Sequence, residues 1–108
     1  MQKKKIAVIF GGNSTEYEVS LHSAFSVSEN INKEKIDIVP IGITRNGDWY
    51  HYTGKKEKIA NNTWFEDNEN LYSVAVSQNR SVKGFIEFKE EKFYIIKVDL
   101  IFPVLHGK

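Results

Sequence analysis

Cysteine is missing from all 108 residues, which excludes a disulfide framework and any thiolate zinc site and leaves the chain compatible with a reducing, cytoplasmic setting. An excess of one charge sign is missing too. Fifteen basic residues face fourteen acidic ones, a formal net charge of +1, so the electrostatic footprint of a nucleic-acid binder is absent. The one local excess, Lys3-Lys4-Lys5, precedes a strand and reads as an exposed start rather than a basic arm. Long apolar runs are also lacking, and none approaches the roughly 20 residues of a membrane span. The lysines before Ile6 resemble the start of a signal peptide, but the apolar run that follows is short and ends in Gly-Gly-Asn-Ser, which argues against secretion. No segment repeats and none is of low complexity. The length fits one domain that buries roughly 60 to 70% of its unfolded surface.

What is present alternates between strand and helix patterns. Lys5 to Phe10 is apolar and β-branched, as expected of a central parallel strand covered on both faces. From Glu18 to Asn30, Val19, Ser23, Val27 and Ile31 recur at i+4, with Ala24 and Phe25 beside them, and predict the buried face of a helix. Ile36 to Thr44 predicts a second strand, parallel to the first through a right-handed crossover, with Pro40 arguing for a place near an edge. Arg45-Asn46-Gly47-Asp48 is a hairpin signal that returns through Trp49-Tyr50-His51-Tyr52. Residues 54–70 read as loop around a short helix near Glu57 to Ala60. Ser73 to Val76, Gly84 to Phe88 and Phe93 to Lys97 read as an antiparallel extension, and Asp99 to Leu105 as a further buried strand. The fold class is α/β: three layers, a mostly parallel sheet and antiparallel hairpin additions. A unit that stops on a buried strand, with no helix to cover it, is expected to be a fragment.

Chemistry concentrates where the first strand meets the helix, at Gly11-Gly12-Asn13-Ser14-Thr15-Glu16-Tyr17-Glu18-Val19-Ser20-Leu21. Two glycines permit a tight turn and close approach of a ligand, and the helix points its positive end at the same place. The spacing is neither G-x-G-x-x-G nor a phosphate loop. Thr15 and Glu18 form a capping box. Glu16 is left over, and a carboxylate there repels phosphate and suits an ammonium, although the helix dipole alone also accounts for it. His106 follows the last strand and puts an imidazole at the carboxyl edge of the sheet, where open α/β sheets hold ligands; backbone capping is the plainer alternative. If the first and last strands are neighbours, Glu16 and His106 face one crevice. His22 and His51 read as exposed, the three histidines are too scattered for a metal site, and Trp49, Tyr50, Tyr52 and Trp64 read as packing rather than a base-stacking platform.

The same eleven residues, with Phe102-Pro103-Val104-Leu105-His106-Gly107, resemble the amino-terminal domain of the D-alanine:D-alanine ligases of the ATP-grasp superfamily. Ile41-Gly42-Ile43-Thr44 with Trp49, and Val82-Lys83-Gly84, are similar to the vancomycin-resistance branch that makes D-alanyl-D-serine. The resemblance implies that residues 1–108 are the truncated substrate-binding domain of a cytoplasmic enzyme that phosphorylates D-alanine with ATP and joins it to a second D-amino acid for peptidoglycan. It implies that Glu16 orients the ammonium of the first D-alanine, that Val19 and Ser20 line that subsite, and that His106 lies near the phosphorylated carboxylate. ATP and magnesium or manganese belong, on this resemblance, to central and carboxy-terminal domains absent here. It also implies a homodimer, with no nucleic-acid or membrane partner. Another ATP-grasp carboxylate-amine ligase and a non-enzymatic α/β small-molecule-binding module are the alternatives.

Overall fold

Ile6 to Phe10 needs cover on both faces, and the fold is organised around that need. The computed structural model describes residues 3–12, 17–76 and 84–104. Strand β1 (Lys4–Gly11) pairs in parallel with β2 (Ile36–Ile43) on one side and β7 (Leu100–Pro103) on the other. Helix α1 (Tyr17–Asn30) makes the crossover from β1 to β2. From β2 the sheet continues antiparallel through β3 (Trp49–Tyr52), β4 (Leu71–Val76), β5 (Gly84–Lys89) and β6 (Lys92–Lys97), giving the order β6-β5-β4-β3-β2-β1-β7. The expected parallel strands with antiparallel additions are present, but the sheet is mixed: β2, β1 and β7 form a parallel group at one end of the order, β1 lies beside the edge strand rather than at the centre, and two of the six pairings among the described residues are parallel.

The two faces of β1 are covered differently. Val8 and Phe10 pack with Tyr17, Leu21 and Ala24 of α1, with Ile59 of the short helix α2 (Lys56–Ala60), and with Tyr52, Trp64 and Val104. Ala7 and Ile9, on the other face, meet Val39, Ile41 and Ile43 and also Val74, Phe85 and Val98. The far strands therefore fold back over the sheet and supply the third layer. Connectivity requires this. Strands β6 and β7 end the order on opposite sides, yet only Val98 and Asp99 join them. Three Cα steps reach at most about 11 Å, whereas a flat seven-stranded sheet would separate its edges by roughly 29 Å. Asp99 fastens the return, accepting the Lys5 N–H on its carboxylate at 2.7 Å and donating its own N–H to the Lys5 carbonyl at 2.7 Å.

Several expectations are corrected in detail. The buried face of α1 is Tyr17, Ser20, Leu21 and Ala24, and Val19 is 49% exposed. Tyr17 takes the inward position because its phenol has partners there: it donates to Asn62 Oδ1 at 3.0 Å and accepts from Trp64 Nε1 at 3.3 Å. Strand β2 is interior, not at an edge. Pro40 is accommodated because β3 pairs only with Ile41–Ile43, so no β3 residue faces Pro40. Trp64, in the stretch read as loop, is fully buried at the centre of the helix-side core, 5.1 Å from Phe10 in an edge-to-face contact. The hairpin lies where expected, with Gly47 at φ 93°. Strand β7, expected to be buried, has exposed side chains because among the described residues only β1 flanks it.

Candidate functional site at the carboxyl edge of the sheet

Strand β1 leaves the sheet through two glycines in the left-handed region, Gly11 at φ 91° and Gly12 at φ 97°. The turn is fastened on both sides. Gly12 donates its N–H to the Ile43 carbonyl at 2.8 Å, anchoring it to β2. Gly11 donates to Ser20 Oγ at 2.9 Å, a buried bond that anchors it to α1. A Cβ on Gly11 would lie 2.2 Å from the Ile43 carbonyl oxygen, so the close approach and the positive φ both require glycine.

The opposite wall comes from β7. Beyond that strand, Val104 donates its N–H to the Ile9 carbonyl at 2.8 Å and is buried with Phe10, Tyr17 and Leu21. Strands β1 and β7 therefore leave the sheet side by side at one edge, which is the adjacency on which a shared crevice for Glu16 and His106 depends. Glu16, His106 and Thr15 lie outside the described residues. Tyr17, which follows Glu16, and Val104, two residues before His106, belong to one packed cluster. Val19 stands on the exposed side of α1, and Ser20 is buried, holding the turn.

Composition and spacing did not single out Tyr17 or Arg45. The guanidinium of Arg45, in the β2–β3 turn, sits over the Tyr17 ring, 4.2 Å from its centroid. Burial raises the Tyr17 pKa, and the bond from Trp64 and the charge of Arg45 offset this in part, so the phenol stays neutral. An arginine signals nothing until the fold sets it against the first residue of α1. His51, expected to be exposed, is half-buried on the face away from the helices, with Nδ1 2.6 Å from Glu87 Oε1. A recess of about 490 Å³ lies away from the turn, at the start of β2 between Lys3, Lys33, Ile36 and Lys56. No described helix is long and apolar enough to cross a membrane.

Comparison with known families decides the lineage: a family model described as D-ala D-ala ligase N-terminus matches residues 5–108. The chain belongs to this ligase amino-terminal family. The D-alanine--D-alanine ligase of Caldicellulosiruptor bescii is 43% identical over 107 residues, 99% of this chain and 28% of that protein. The vancomycin C-type resistance protein VanC1 of Enterococcus gallinarum is 46% identical over 105 residues, 97% of this chain and 26% of its own length. Among solved structures, the VanG D-Ala:D-Ser ligase from Enterococcus faecalis superposes with a TM-score of 0.92 at 75% identity, covering 99% of this chain and 30% of that one. The D-alanine-D-alanine ligase from Coxiella burnetii, at 24% identity and a TM-score of 0.80, shares the fold. This ligase amino-terminal domain thus spans between a quarter and a third of the relatives it matches.

Proposed function

We propose that this chain is the amino-terminal domain of an ATP-dependent ligase that joins D-alanine to a second D-amino acid, D-alanine or D-serine, in cytoplasmic peptidoglycan synthesis. In this reading it supplies one wall of the site for the first D-alanine. Glu16 holds the ammonium, Val19 and the Ser20-anchored turn bound the subsite, and His106 approaches the carboxylate that becomes phosphorylated. ATP and its magnesium or manganese ions are held by the further domains that the longer relatives contain. The enzyme acts as a homodimer and engages neither nucleic acid nor membrane. The observation that carries this reading is the doubly anchored Gly11-Gly12 turn, in a chain whose family match runs from residue 5 to 108. A small amino acid offers few handles, and a carboxylate on a rigid helix start fixes its orientation for phosphoryl transfer.

Steady-state kinetics of Glu16→Gln in the full-length ligase test the assignment. A charge-assisted hydrogen bond to an ammonium contributes about 1.5 to 3 kcal/mol. Apparent affinity for the first D-alanine should fall about tenfold to a hundredfold, with that for ATP unchanged. Unaltered D-alanine affinity in Glu16→Gln, beside a crippled Glu18→Gln, would reverse the roles of clamp and cap.

A further inference from the structure

The helix layer ends before the sheet does. On the helix side, β1 to β3 are covered, but the same face continues over β4 to β6 as Ser73 and Ala75, then Ile86 and Phe88, then Phe93 and Ile95, each matched across its ladder. Phe88 is 44% exposed, Ile95 58% and Phe93 70%, and the rings of Phe88 and Phe93 meet edge to face at 6.0 Å. A contiguous apolar face of this kind marks an interaction site.

The charges around it indicate what it meets. Lys97 lies on this face at one end of β6, and the Glu90-Glu91 turn lies at the other. A twofold axis running across the strands between two such faces lays β6 antiparallel over β6, with its midpoint at Tyr94. Phe93 of each copy then packs on Ile95 of the other, and Lys97 of each copy comes over Glu91 of the other. Stacked sheets lie about 10 Å apart, within reach of a lysine and a glutamate extended toward each other.

We infer that the outer face of the β5–β6 hairpin is an isologous interface on which a second copy of this chain packs; this rests on the homodimer reading above and names its surface. Sedimentation equilibrium of the full-length ligase and of the 108-residue chain tests it. Phe93→Glu should weaken dimerisation at least tenfold and leave the chain folded by circular dichroism, since the ring is exposed. Lys97→Glu should weaken it as well, and the swap Lys97→Glu with Glu91→Lys should restore it. Ile101→Glu, on the exposed strand β7, should leave it unchanged. A full-length dimer insensitive to Phe93→Glu would overturn this surface and leave the homodimer reading standing. A monomeric full-length enzyme would overturn both.

Discussion

Ser20 and Gly42 make the clearest claims at the scale of single residues. Ser20 is 1% exposed, and its hydroxyl is the acceptor for the Gly11 N–H. Ser20→Ala leaves that buried donor unsatisfied and should cost about 1 to 3 kcal/mol in chemical denaturation. A threonine, which retains the hydroxyl, should recover part of the loss. A Cβ on Gly42 would lie 2.5 Å from the Trp64 ring, so Gly42→Ala should displace the indole, visible as a change in tryptophan fluorescence. The Tyr52–Asp67 pair gives stability a pH dependence at both ends. Tyr52 donates to Asp67 Oδ2 at 2.8 Å; burial first, and that carboxylate second, raise the Tyr52 pKa above its ordinary 10.0. An unfolded tyrosine ionises from about pH 10 while the folded one holds its proton, so stability should fall as pH rises past that point. Tyr52→Phe should flatten the fall. Asp67 is shifted the other way, below its ordinary 3.8, by bonds from Asn70 and then Tyr52. Its contribution is present above that ordinary value and is lost as pH falls through the lowered one; Asp67→Asn should reduce the acid sensitivity of the melting temperature.

At the scale of elements, the strands were legible where local pattern decides them and the loop was not. The β-branched run of β1, the Asn-Gly turn and the parallel β1–β2 pair follow from period, turn chemistry and crossover length. The face of α1 was read one step out because apolar type favoured Val19, while the packing uses Tyr17, whose hydroxyl finds partners only in the folded state. Trp64 illustrates the same limit: apart from Phe65 the residues from Asn61 to Asn70 around it are polar, and Phe10 and Tyr52, which help bury it, come from two separate strands. Trp64→Ala should therefore cost about 3 to 5 kcal/mol, a core-sized loss from an apparent loop, measurable by urea unfolding. The site divides similarly. The glycine turn follows from sequence pattern, whereas the adjacent exits of β1 and β7, which the sequence leaves as a condition, come from the fold, and Arg45 over Tyr17 depends on where the β2–β3 hairpin lands.

At the scale of the whole molecule, the sheet is closed by contacts between segments far apart in sequence. The bond from the Lys5 N–H to Asp99 spans 94 residues of sequence, and the register that follows pairs Ile6 with Leu100 and Ile9 with Pro103. Because β1 is made well before β7, one of its two neighbours, it waits with one edge unpaired while the chain between them is made. Closing so long a loop is entropically slow, and contacts of this separation delay folding. The nascent chain therefore carries an apolar, half-satisfied strand until about residue 103 has emerged, which is the condition under which chaperone capture and aggregation compete with folding.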